Sequence, residues 1–317
     1  MRNMPFGFLK FLGLRIAAAL LTMAGAILLL FVLIQFVPGD LVGILLGPRA
    51  TPELRLAFAE RMGLDRPILE RLWLFFSHAA SGDFGLDVIS SRPILTIIVE
   101  VLPNTLELAF AAMVIGAGLG ILLGCVAALR PGSRLDRLLG ITSVAFITTP
   151  SFVVAIFLLL VFSLALHWLP VTGAGDPSRL GDRLAHLILP ATALAIGWIG
   201  YLARLVRASL LEVLSEQHIR MMRAYGVPER RIVGRYALKL ALVPVVAVLG
   251  LGIGDLIQNA VFAEIIFARP GIGSLLYNSI ITRNYPLAQA ALYDDVQRTI
   301  VEWIASVVKT AAPANRR

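Results

Sequence analysis

Five apolar runs constrain this chain more than any other feature of its sequence. They cover residues 16–37, 108–129, 141–169, 187–202 and 240–262. A helix that crosses a bilayer needs roughly 20 mainly apolar residues, and the first run is too long to be the core of a signal peptide. Charged residues make up only 15% of the chain, against about a quarter in ordinary soluble domains. The runs predict an all-α polytopic membrane protein with five spans.

The charges between the runs predict how the chain is oriented in the membrane. Residues 1–15 carry basic side chains and no acid, the long segment 38–100 is slightly acidic, and 205–239 is strongly basic. Because cytoplasmic loops are enriched in Lys and Arg, we expect 1–15 and 205–239 in the cytoplasm and 38–100 on the external side. This topology accounts for the net charge of +8 without a nucleic-acid partner.

The basic segment 205–239 predicts two helices joined by a tight turn. Residues 206–225 contain no Gly or Pro and place apolar side chains at helical spacing. Gly226 then stands where a helix C′ residue belongs, since Gly accepts the left-handed conformation that ends many helices. Pro228 suits the first turn of a second helix, which continues into the fifth apolar run.

Asp255 is an ionisable residue inside the fifth apolar run, and Gln258 and Asn259 follow it by three and four residues. That spacing predicts that all three lie on one helix face. Ionisable residues at membrane depth usually face a bundle interior or a water-filled path, so we expect this face to line a translocation pathway. The alternative is a hydrogen-bond cluster between helices, packed against a notch at Gly250 and Gly254.

The third apolar run is interrupted by Thr148, Thr149, Pro150 and Ser151. Proline removes a helical hydrogen bond and bends the segment, and neighbouring hydroxyls satisfy the carbonyls that it frees. The break is predicted to be either a fixed kink or a flexing gate. In the second case Thr149, Pro150 and Ser151 belong to the pathway.

The second and fifth runs carry two further features. Gly116, Gly120 and Gly124 form a ridge of small residues, which allows another helix to approach closely. Glu107 and Glu264 fall at the external boundaries of the two runs and are predicted to be interfacial.

Seven short motifs follow one another along the chain. They are Phe36-Val-Pro-Gly-Asp, Met62-Gly-Leu-Asp-Arg-Pro, Gly82-Asp-Phe-Gly, Leu102-Pro-Asn-Thr-Leu-Glu-Leu-Ala, Pro150-Ser-Phe-Val, His167-Trp-Leu-Pro-Val-Thr-Gly and Val261-Phe-Ala-Glu-Ile-Ile-Phe-Ala-Arg-Pro-Gly-Ile-Gly. In their order and spacing the chain resembles the inner-membrane permease subunits of ABC importers for dipeptides, oligopeptides and nickel. The resemblance ends near Leu292, and 293–317 is a polar tail where that family has a sixth span.

The resemblance implies a type I importer fold whose permease core is 101–292. It implies that a second permease subunit, homologous or identical, completes the pore and that an external binding protein delivers the substrate. Peptides or related small solutes, including nickel chelates, are the expected substrates, and the bacterial inner membrane is the expected location. The segment 205–239 would be the coupling loop, whose short helix docks into a cleft on an ATPase subunit. It lacks the Glu-Ala-Ala start of the general loop motif.

Docking into such a cleft needs an apolar helix face and a charged rim. Candidates for the face are Leu214, Met221, Met222 and Tyr225, those for the rim are Glu212, Glu216, Arg220 and Arg223, and Ala224 and Gly226 complete the expected loop. From the residues alone, an amphipathic loop that lies on lipid headgroups is the alternative.

The chain shows no means of binding ATP, a cofactor or a metal. None of its three lysines belongs to a Gly-Lys-Ser/Thr sequence, there is one cysteine, and the four histidines are far apart. We therefore expect a subunit that is not an enzyme and that relies on two ATP-binding cassette partners. Two rival functions stay open: a transport-inactive or scaffold permease that lacks its last span, and a secondary transporter, which would need inverted repeats.

Overall fold

The structure, a computed structural model, describes residues 89–282 continuously, with single positions or short groups between 13 and 87 and between 284 and 291. The described helices are α1 Ile94–Leu129, α2 Arg134–Thr148, α3 Ser151–Ala165, α4 Leu180–Ser215, α5 Gln217–Ala224, α6 Glu229–Ile266 and α7 Ile272–Ile281. The last turns of α3 and the stretch Ile232–Ala237 of α6 are wound as π-helix. Most of the first apolar run and the whole of 293–317 lie outside the described residues.

Three of the described helices, α1, α4 and α6, are long and apolar enough to cross a membrane, and α2 with α3 forms a bent pair that would be a fourth span. α1 and α4 extend well beyond the predicted runs, because a helix continues through amphipathic sequence on either side of its most apolar part. The count of five spans stays a prediction, since the first run is described only at scattered positions and the bent pair is either one broken span or a re-entrant loop.

The break between α2 and α3 falls where the sequence predicts it, and the axes of the two helices differ by 101°. Thr149 and Pro150 both have extended backbone conformations, with ψ of 121° and 138°. The Thr148 hydroxyl donates to the Val144 carbonyl at 3.0 Å and the Thr149 hydroxyl to that of Ala145 at 2.8 Å. The hydroxyls thus satisfy carbonyls at the end of α2, as expected for a break at membrane depth.

The chain divides into two compact units, Met1–Val101 with Leu275–Ile300 and Leu102–Ser274 with Val301–Arg317. In the first unit, Asp87 accepts hydrogen bonds from the Ser90 amide at 2.7 Å and from the side chain of Asn284. Burial raises the pKa of Asp87, but the hydrogen bonds from Ser90 and Asn284 outweigh it, so the pKa lies below its usual value.

In the second unit, the glycine ridge of α1 packs directly against α4, which confirms its predicted role. An added Cβ at Gly120 would stand 2.7 Å from the Leu202 Cβ, and one at Gly124 would stand 2.7 Å from the Ala203 carbonyl oxygen. The main apolar core lies beside this contact and draws on α1, α4 and α6, with Leu108, Ala112, Ala191, Leu194, Ala195, Leu256 and Ala260 all buried.

A buried polar network joins α1 to the segment after α6. The Glu264 carboxylate, which is fully buried, accepts from the Thr105 hydroxyl at 2.6 Å and from the Ser274 amide at 2.9 Å. Arg269 is 1% exposed and donates to Glu107 at 2.9 Å. The prediction that Glu264 is interfacial is therefore wrong: its partners provide inside the protein the hydrogen bonds that water would provide at an interface.

Candidate functional site

The loop between α4 and α6 contains one helix more than predicted. The expected uninterrupted helix over 206–225 is wrong, because α4 ends at Ser215 and Glu216 is extended with ψ of 154° before α5 begins. The Ser215 hydroxyl donates to the Glu212 carbonyl at 2.7 Å, a local bond that competes with continuation of the helix.

The end of α5 has the predicted glycine conformation. Gly226 has a φ of +75°, its amide donates to the Arg223 carbonyl at 3.0 Å, and the Val227 amide donates to the Met222 carbonyl at 3.1 Å. This pair of bonds is a Schellman motif, which requires a left-handed residue at C′. Pro228 then serves as the N-cap of α6.

One face of α5 is anchored and the opposite face is open. Ile219 is fully buried against Leu210 of α4 and Ile232 of α6, and sequence analysis missed it because the break at Glu216 shifts the helical register. Met221 is 55% exposed and Tyr225 is 79% exposed. The predicted apolar face is thus divided, since Leu214 and Met222 pack partly buried against the inner core.

The residues predicted to form the charged rim also fall into two groups, those that are exposed and those that are paired within the chain. Glu212 and Arg220 are exposed, and Glu216 lies 2.9 Å from the His218 imidazole. Arg223 instead crosses the turn and donates to both carboxylate oxygens of Glu229, at 2.7 and 3.1 Å. These hydrogen bonds raise the pKa of the Arg223 guanidinium above its usual value. The side chain therefore fixes α5 to the start of α6.

Five of the six predicted pathway residues line one pocket of about 550 Å³, together with Trp198 and Tyr201 of α4. The five are Thr149, Pro150, Ser151, Asp255 and Asn259. Gln258 is exposed and does not line this pocket. At roughly 100° per residue, a position three residues after Asp255 turns to one side of it by about 60°, whereas the fourth turns by about 40° to the other side. Gln258 therefore lies to one side of the pocket, and its place in a pathway stays a prediction.

Trp198 is the pocket residue, not predicted from the sequence, that contacts Asp255 directly. Its indole N–H donates to Asp255 at 3.1 Å, and the Asn259 amide donates to the other oxygen of the same carboxylate at 3.2 Å. The indole packs closely against Gly252, which has no Cβ that would clash with the ring. Asp255 thus belongs both to a hydrogen-bond cluster between helices and to the pocket lining. The sequence feature that could have identified Trp198 is its position as a single Trp between two small residues, Gly197 and Gly200.

A second pocket, of about 770 Å³, lies between α2 and α4 and shares Ile147 and Tyr201 with the first. Its charged lining consists of Asp136, Arg137, Arg204 and Arg207. Arg207 makes a bidentate ion pair with Asp136, with contacts of 2.5 and 2.8 Å. The remaining lining charge of this pocket is therefore positive.

Comparison with known proteins agrees with this architecture. The chain is 36% identical over 264 residues to the glutathione transport system permease protein GsiC of Shigella flexneri, covering 83% of this chain and 84% of that protein. It is 34% identical over 303 residues to the di/tripeptide transport system permease protein DppB of Pseudomonas aeruginosa, covering 89% and 90%. Among solved structures, the inward-facing MetNI methionine ABC transporter aligns with a TM-score of 0.58 at 20% identity, over 70% of this chain and 98% of that one.

Residues 120–310 match the family described as binding-protein-dependent transport system inner membrane component. The matched range contains most of the tail 293–317, which sequence analysis places outside the family pattern. With this match and relatives above 30% identity across most of the sequence, the chain belongs to the inner-membrane permease components of the binding-protein-dependent ABC importers.

Proposed function

We propose that this subunit carries peptides or closely related small solutes and takes its driving force from ATPase partners through the loop around α5. The single observation that carries the proposal is the division of α5 into an anchored and an open face. Ile219 holds the helix to the rest of the permease, while Met221 and Tyr225 project outward. Such exposed anchors on a short helix suit insertion into a groove on a partner.

The position of the pathway relative to the loop supports coupling between them. α4 leads into α5 and carries Trp198, and α6 leads out of the loop and carries Asp255. A displacement of α5 therefore acts on both helices whose side chains meet in the pocket. The hydrogen bond between Trp198 and Asp255 joins the two helices inside the pocket.

The wider assembly follows from the open pocket. Asp255 is exposed in the single chain, and charged groups at membrane depth face other protein or a water-filled path. A second permease subunit across this face completes the pathway, with its cytoplasmic side at the loop. An external binding protein supplies the solute, and the names of the relatives favour di- and tripeptides or glutathione.

A cross-linking experiment tests the docking of α5. In a Cys125→Ala background, which has no other cysteine, Tyr225→Cys is labelled with a short maleimide–benzophenone reagent and joined by light to whatever C–H bonds lie next to it, in membranes that contain the complete transporter. We expect an adduct with a nucleotide-hydrolysing subunit, identified by mass spectrometry. Arg130→Cys is the control, because Arg130 lies in the other predicted cytoplasmic loop and is also exposed. Equal adducts at both positions, or none at Tyr225, contradict the proposal.

A further inference from the structure

The two pockets of the second unit carry opposite charge. Among the residues that the structure describes, Asp255 is the only charged one that lines the first pocket. In the second pocket, Arg207 is neutralised by Asp136, and among the described residues no carboxylate pairs with Arg137 or Arg204. Both pockets are lined by Ile147 and Tyr201, so they adjoin each other, with an acidic side chain in one and basic side chains in the other. We call the two adjoining pockets together the groove.

The length of this groove is set by α4. Arg204 follows Trp198, the partner of Asp255, by six residues on the same helix. At 1.5 Å per residue, the backbone positions of Trp198 and Arg204 are about 9 Å apart along the helix axis. An extended chain advances roughly 3.3–3.6 Å per residue, so two or three residues span about 7–11 Å. The pocket volumes, about 550 and 770 Å³, lie in the range of small-ligand sites.

We infer that this groove is a transient binding site for a short zwitterionic peptide, with its ammonium group at Asp255 and its carboxylate at Arg204. The inference rests on the proposed function and adds to it a substrate length, an orientation and two specificity residues. Opposite charges attract more strongly in a partly desolvated groove than in bulk water. The basic end then draws the carboxylate towards the side on which the loop lies.

The test uses the intact transporter, with its ATPases and binding protein, reconstituted in liposomes. Initial uptake is measured for trialanine, its C-terminal amide and its N-acetyl derivative, each at a concentration that saturates the binding protein, so that capture does not limit the comparison. We expect the wild type to prefer trialanine over the amide by about tenfold, the factor for one hydrogen bond to a charged group. Arg204→Gln should abolish that preference, and Asp255→Asn should abolish the preference over the N-acetyl derivative.

Two further variants distinguish recognition of the peptide carboxylate from a general effect of lost positive charge on topology or folding. Arg204→Lys keeps the charge and should keep the preference against the amide. Arg130→Gln removes one positive charge from the predicted cytoplasmic face outside both pockets and should leave all three uptake ratios unchanged. The inference is overturned if Arg204→Gln keeps the wild-type ratio of trialanine uptake to amide uptake, or if the wild type transports all three compounds equally. Either result would mean that the groove does not bind the charged ends of the peptide. If the wild type transports none of them, the proposed function fails, and the inference fails with it.

Discussion

Gly252 decides where the Trp198 indole lies. A Cβ at this position would overlap the far edge of the ring. We predict that Gly252→Ala moves the indole away from Asp255 and lowers uptake of a transported peptide about tenfold, since a misplaced side chain weakens its hydrogen bonds steeply. Uptake is measured at equal membrane abundance. Gly250→Ala is the matched control on the same helix, because an added Cβ there has no neighbour within 4 Å. Equal uptake by the two variants would contradict this role for Gly252.

Glu107 compensates a buried cation. Arg269 is 1% exposed, and its Nε and Nη1 atoms have no hydrogen-bond partner in the described part of the chain. We predict that Glu107→Gln lowers the free energy of unfolding by about 3 kcal/mol, because removing one member of a buried pair leaves the other charge uncompensated. Thermal unfolding of the purified subunit in detergent measures the change. Arg183→Gln is the control: Arg183 also contacts Glu107, at 3.0 Å, but its side chain is 36% exposed, and its loss should cost less than about 1 kcal/mol.

At the scale of whole elements, the contact between α1 and α4 depends on backbone proximity. At Gly124 an added Cβ would approach both the Ala203 carbonyl and the Val206 side chain within 3 Å. We predict that Gly124→Ala separates the two helices and costs about 1–3 kcal/mol of stability, the usual range for overpacking. Gly118→Ala on the same helix has open space at the Cβ and should be neutral or slightly stabilising. Thermal unfolding of both variants in the same detergent measures this difference. Equal midpoint temperatures would show that the glycine ridge does not set the distance between α1 and α4.

For the molecule as a whole, the number of membrane crossings is open to a direct test. Five spans and a cytoplasmic N-terminus place Arg317 outside the cytoplasm. A reporter fused after Arg317 that is active only in the external compartment should therefore give a signal. A fusion at a position in 130–140, which is predicted to be cytoplasmic, is the negative control. Activity of a cytoplasmic reporter at Arg317 would mean an even number of crossings and would contradict the five-span count.

Features of the fold that depend on the properties of a single residue type were predictable from the sequence. The glycine turn at Gly226, the break at Pro150 and the ridge on α1 each depend on one residue type whose backbone or size leaves few alternatives. The pairing of Asp255 with Trp198 was not predictable, because it joins positions 57 residues apart. The burial of Glu264 likewise depends on Thr105, which reaches it from a different helix. Long-range partners of this kind leave no periodic signal in a single sequence.

The length of α6 has a mechanical consequence. The helix comprises 38 residues, from Glu229 at the turn to Ile266 beside the buried network, and at 1.5 Å per residue it is about 57 Å long. A helix of that length that tilts as one body by about 5° shifts its far end by roughly 5 Å, close to one helical turn. We therefore predict that a small rotation imposed at Glu229 produces a larger displacement at Ile266, at the far end of the helix.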